Sequence, residues 1–127
     1  MEKTAATLTP EEIAVYRAGW AKRAKRDRTL LKDRYERAWK VARLGADLLR
    51  KQFGVEKVWV FGSLLHPERF HSRSDIDLAV ESIDGTEFYR AVSLLLDVDP
   101  EFSFDLVELI HAREYLRRTV EAEGQEL

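Results

Sequence analysis

The sequence predicts an α/β fold of the α+β kind, a small mixed sheet with flanking helices behind a long N-terminal helical extension. Three observations carry that prediction. Residues 10–53 hold no proline after Pro10 and space many of their apolar residues alternately four and three apart, as one face of a helix requires. Three short runs rich in β-formers follow, at Val58–Phe61, Asp75–Val80 and Phe102–Ile110. A helical pattern separates the second run from the third and another follows it, so the order is helix, strand, strand, helix, strand, helix.

Along the chain, Met1–Leu8 is expected to fray. Thr9-Pro10-Glu11-Glu12 then reads as a helix start, with threonine at the N-cap, proline at the first helical position and glutamate closing a capping box. Leu31, Tyr35, Ala38, Ala42, Gly45 and Leu49 form an apolar seam, widened by Val41, Leu44 and Leu48. The spacing predicts helix over 10–26 and 29–53, continuous or broken near Asp27-Arg28-Thr29, with Gly54 as the stop. The seam exceeds what a three-stranded sheet needs for cover, so it is expected to serve docking or a homo-oligomer. Trp39 and Trp59 sit in apolar patterns and read as core. Pro67 limits any helix begun at Ser63 to about one turn, because it has no N–H to return a bond. Asp84-Gly85 makes a turn, and Thr86 caps a helix with Phe88, Val92, Leu95 and Leu96 on one face, ended by Asp99-Pro100. A last helix from Ala112 to Glu123 turns Tyr115, Leu116, Thr119 and Val120 inward and stops at Gly124. The expected division is a helical extension over 1–54 and a compact domain over 55–127.

With 127 residues the chain suits a single core. It has no cysteine, which removes disulfides and thiolate metal sites. No run approaches membrane-spanning length and no leader-like apolar stretch opens the chain, so a cytoplasmic protein away from membranes is expected. Charge is unevenly spread. Residues 1–57 carry 15 Lys/Arg against 8 Asp/Glu, a net of +7, and residues 58–127 carry 6 against 15, a net of −9. The cluster Lys22-Arg23-Lys25-Arg26-Arg28, beside Trp20, reads as a solvated helix face whose cations answer the acidic half or an acidic partner. Nucleic acid is the less favoured partner, since no sequence-reading element accompanies the cluster.

The chemistry concentrates between residues 58 and 105. The first strand stops at Gly62-Ser63, where a glycine permits close backbone approach and a new helical turn offers N–H groups to an anion, as a phosphate cradle does. Asp75 and Asp77 open the second strand on one face, and paired carboxylates call for a hard cation such as Mg²⁺. Asp105 lies inside the third apolar run, where an unpaired charge is costly and a shared metal would answer it. His66, His71 and His111 lack helical metal spacing and read as surface or capping residues.

Gly62-Ser63, then Ser74-Asp75-Ile76-Asp77-Leu78-Ala79, then Asp105-Leu106-Val107 resembles the minimal nucleotidyltransferases of the DNA polymerase β superfamily, which include the antitoxin halves of HEPN/MNT toxin–antitoxin pairs. Eleven residues separate Ser63 from Asp75 where ten are usual, and Leu64 stands where an arginine is common. Arg73, or Arg69, is the candidate replacement. The resemblance implies a polymerase β-like fold and transfer of AMP from ATP to a hydroxyl on a HEPN-type toxin. Asp75, Asp77 and Asp105 would be catalytic and would hold two Mg²⁺ ions; Gly62, Ser63 and Arg73 would bind the triphosphate. Two alternatives stand beside it: a catalytically silent module that neutralises a partner by occlusion, and nucleotide addition to an RNA end.

Overall fold

The structure, a computed structural model, describes residues 7–127 and forms two compact units, 1–33 and 34–127. The expected fraying at Met1–Leu8 falls mostly on residues 1–6, outside the described residues. Helix α1 runs from Pro10 to Phe53 without the break considered near Asp27-Arg28-Thr29. Thr29 fits inside it because its hydroxyl donates back to the Lys25 carbonyl at 3.0 Å, as threonines do within helices. The predicted cap is present: the Glu12 N–H donates to Thr9 Oγ1 at 3.1 Å and the Ile13 N–H to the Thr9 carbonyl at 2.9 Å. In the first unit Val15, Tyr16, Trp20 and Leu30 are exposed, as is every residue from Lys22 to Arg28.

The second unit is built on a four-stranded sheet of β1 (Val58–Phe61), β2 (Ile76–Val80), β3 (Phe104–Glu108) and β4 (Gln125–Glu126), in the order β3-β2-β1-β4. β1 runs antiparallel to β2 and β4, while β2 and β3 are parallel, joined through helix α2 (Phe88–Leu96). Helix α3 (Glu114–Glu123) follows β3. One sheet face carries Val58, Val60, Ile76, Leu78 and Val80, all fully buried. The later part of α1 packs there through small residues. Ala38, Ala42 and Ala46 are fully buried, and a Cβ on Gly45 would stand 2.8 Å from the Phe104 ring and 3.1 Å from Leu95. Helix and sheet approach that closely because glycine leaves the space.

The seam from Tyr35 to Leu49 is therefore largely intramolecular core. Tyr35 also donates its hydroxyl to the Leu64 carbonyl at 2.7 Å and meets Phe70 edge-on at 5.1 Å. Leu44, expected to widen the seam, is exposed. Arg34 lies over the Phe102 ring at 4.2 Å, and Arg37 pairs with Glu101 at 2.6 Å, fastening α1 to the turn before β3.

Several local expectations are corrected. Thr86 caps nothing: α2 starts at Phe88 behind Glu87, with no side-chain cap bond. Leu96 and Tyr115, assigned inward, are exposed, at 49% and 71%. β4 carries no sequence signal, being two polar residues after Gly124. It forms because the Leu127 N–H donates to the Val58 carbonyl at 2.8 Å and Arg50 holds the Leu127 carbonyl. The aspartate-bearing face is open only in part. Phe61, Ala79, Leu109 and Val120 form a buried cluster there with Trp59, Val107 and Leu116, so α3 covers the Ala79 end.

Candidate nucleotide site

The register of the sheet assembles the site. Asp77 lies opposite Phe61 on β1 and opposite Asp105 on β3, which puts both carboxylates on one face of neighbouring strands. Asp75 is exposed, immediately before β2. Asp77 is half-buried, whereas Asp105, expected inside an apolar run, is exposed because its face lies beyond the reach of α3. The carboxylates crowd one another. Burial, then Asp105, then Asp75 push the Asp77 carboxyl up from 3.8 to about 7. No hydrogen bond or ion pair reaches any of the three from another side chain or from the backbone N–H groups of the described residues.

Gly62 follows β1 directly and has φ +75°, left-handed backbone that favours glycine. A Cβ there would collide with the Asp77 carboxylate, so the bare glycine is what lets that carboxylate sit against the turn. Gly62–Leu65 forms a 3₁₀ turn, and Pro67–Arg69 a second one, as the proline requires. Ser63 is half-buried, and the His66 N–H closes the turn on its carbonyl at 3.0 Å. Leu64 is fully buried, so the position where an arginine would have stood points into the core. Arg73 lies on the exposed loop two residues before Asp75, its own N–H donating to His71 Nδ1 at 3.1 Å.

Two positioning residues escaped the sequence reading. Ser74 is buried and its hydroxyl accepts from the His71 N–H at 2.9 Å, fixing the loop that delivers Asp75. Tyr35 buttresses the Gly62–Leu65 turn from α1 through the Leu64 carbonyl. Only tertiary contact reveals that role, because the partners are 29 positions apart in the chain.

The residues fit a hard divalent cation by charge and donor type: crowded carboxylate oxygens with no protein cation to answer them. No group of three or more His, Cys, Asp or Glu side chains among the described residues stands close enough to hold an ion alone. The three aspartates expected to share a metal therefore do not form such a group by themselves.

The raised Asp77 carboxyl has a measurable consequence. Its proton is held more tightly in the folded chain, so it favours folding most below the unfolded value, and that contribution is lost as pH rises from about 4 to about 7. In EDTA, denaturant unfolding at pH 5 and pH 8 is expected to show wild type losing about 1–2 kcal/mol relative to Asp77→Asn, after allowance for solvent screening. Mg²⁺ at pH 8 is expected to restore most of the difference.

The family model described as polymerase beta, nucleotidyltransferase, matches residues 46–127. Among solved structures, a chain of "Crystal structure of the toxin-antitoxin with AMP-PNP" is similar at 27% identity and TM-score 0.54, over 64% of this chain and 67% of that one. A chain of a mutant of the toxin-antitoxin MntA-HpeT matches at 27% identity and TM-score 0.50, over 65% and 66%. A chain of the toxin-antitoxin MntA-HepT shares the fold at 23% identity and TM-score 0.53, over 69% of each chain. No curated protein is a significant match. No helix among the described residues is long and apolar enough to cross a membrane.

Proposed function

Because the chain belongs to the polymerase beta nucleotidyltransferase family, we propose that it transfers AMP from ATP to a hydroxyl on a HEPN-type toxin partner, acting as the antitoxin. The observation that carries this reading is the in-register pair Asp77 and Asp105 with Gly62 bare against Asp77. Support for the donor comes from the similar toxin–antitoxin structure with AMP-PNP, and support for the partner from that structure and the MntA-HpeT one.

In the reaction the acceptor oxygen forms a bond to the α-phosphorus, the bond from that phosphorus to the β-phosphate bridging oxygen breaks, and pyrophosphate leaves. The Gly62-Ser63 turn is suited to hold the β- and γ-phosphates through backbone N–H groups, with Arg73 as the candidate cation. Two Mg²⁺ ions held by Asp75, Asp77 and Asp105 would supply positive charge to the phosphate oxygens and lower the pKa of the acceptor hydroxyl. Asp105, exposed like Asp75 and opposite Asp77 on β3, would take the hydroxyl proton and release it to water.

A second reading, neutralisation by binding alone, draws on Leu64, whose burial leaves no cation adjoining Ser63. Labelled ATP separates the two. With Mg²⁺ and a HEPN-type partner, label from α-labelled ATP is expected in the partner and none from γ-labelled ATP. Protection of the partner without α-label would establish the second reading instead.

A further inference from the structure

β3 is an edge strand, with no strand paired to its outer side among the described residues. The Ile76 N–H donates to the Ser103 carbonyl at 2.9 Å. Bonding groups alternate along a parallel strand, so Ser103, Asp105 and Val107 turn theirs toward β2. The N–H and C=O groups of Phe104 and Leu106 and the Glu108 N–H then point outward, and none of these bonds to another element among the described residues, while the Glu108 carbonyl begins the 3₁₀ turn Leu109–His111. Proteins usually blunt such an edge with lysine, proline, a bulge or a covering segment. The run Phe-Asp-Leu-Val-Glu has none of these. Its two charged side chains leave the sheet plane: Asp105 joins the Asp77 face, and Glu108 accepts the Ile83 N–H at 2.9 Å.

The edge also borders an open hollow of about 460 Å³, lined by Leu106, Val107 and Glu108 on one side and Phe88 and Tyr89 on the other. Tyr89 is 80% exposed. From Ala91 to Ala112 the chain carries five carboxylates and no Lys or Arg, with Asp99 and Glu101 answered by Arg37.

We propose that the outer edge of β3 receives the acceptor as an extended, lysine- or arginine-bearing polypeptide segment, added to the sheet as a fifth strand with its hydroxyl residue opposite Asp105. Neighbouring strands lie about 4.8 Å apart, and directly opposed residues point to the same face. The row already running Phe61, Asp77, Asp105 across the sheet thus continues into the acceptor residue, whose hydroxyl falls beside the carboxylates. Main-chain bonds to Phe104, Leu106 and the Glu108 N–H provide affinity, and the hollow beside Tyr89 takes an alternate side chain. The proposal rests on the nucleotidyl-transfer reading for its chemistry but not for its binding.

The test uses the full chain and synthetic seven-residue peptides alternating Val and Lys around a central Ser or Tyr. Binding is read without ATP by amide exchange, and transfer is read with Mg²⁺ and α-labelled ATP. At saturation the Phe104, Leu106 and Glu108 amides are expected to exchange at least ~10-fold more slowly. N-methylating the peptide amides that would face β3 is expected to abolish binding and labelling, and methylating the alternate set to preserve both. Phase-dependent binding without labelling would sustain the edge and sink the transfer reading. Labelling indifferent to the methylation phase would overturn the edge and leave the transfer reading standing. Failure of every such peptide to bind, or labelling of an RNA end alone, would overturn the edge proposal.

Discussion

Asp77→Asn is expected to lower AMP transfer at least ~100-fold while raising the stability of the metal-free chain at pH 8. Both effects have one cause. The half-buried carboxylate lies in register with Asp105 and close to Asp75, and no donor among the described residues offsets its charge. The amide keeps the shape and removes that charge, which relieves the crowded site and takes away a proposed metal ligand. Asp75→Asn is expected to lose activity similarly with a smaller stability gain, because Asp75 is exposed and is the least of the three causes that raise Asp77. Initial rates with α-labelled ATP, beside denaturant midpoints in EDTA, check both halves. An Asp77→Asn protein that transfers at the wild-type rate would remove the carboxylate mechanism.

Gly62→Ala is expected to be nearly as damaging, for steric reasons. Two costs combine: left-handed backbone is worth about 1–2 kcal/mol against any Cβ, and the new methyl would collide with the Asp77 carboxylate. The carboxylate must swing away from the turn or the turn must open, and either change separates Asp77 from its place beside Asp105. A stability loss of about 2–4 kcal/mol with a ~100-fold fall in transfer is expected. Gly54→Ala is the matched control. Gly54 has φ +67° but nothing within 4 Å of its would-be Cβ, so only the backbone cost of about 1–2 kcal/mol applies, with activity retained. Equal losses at the two glycines would mean that the contact with Asp77 is unimportant.

Features with local causes could be read from the residues alone. Val58–Phe61, the strand around Ile76–Val80, the proline-limited turns after Gly62 and the Thr9 cap all depend on neighbours within a few positions, where strand alternation and capping chemistry act. The same alternation predicted a shared face for Asp75 and Asp77, but Asp75 stands just before β2 rather than within it. Wherever a residue's state depended on a distant part of the chain, the sequence pointed less well. The apolar seam of α1 has the same spacing whether it meets a partner or its own sheet, and only the approach of Gly45 to Phe104 distinguishes the two. Tyr35 looked like part of that seam until its hydroxyl met the Leu64 carbonyl. Tyr115 carried an inward pattern but stands exposed, because α3 covers only the Ala79 end of the sheet. β4 has no local propensity and exists through bonds to Val58 and Arg50. The sequence by itself singled out Asp75, Asp77 and Asp105 as the candidate carboxylates. Strand register, which pairs residues tens of positions apart, decided that Asp77 lies between Gly62 and Asp105, that burial falls on Asp77 alone among the three, and that β3 keeps an open edge.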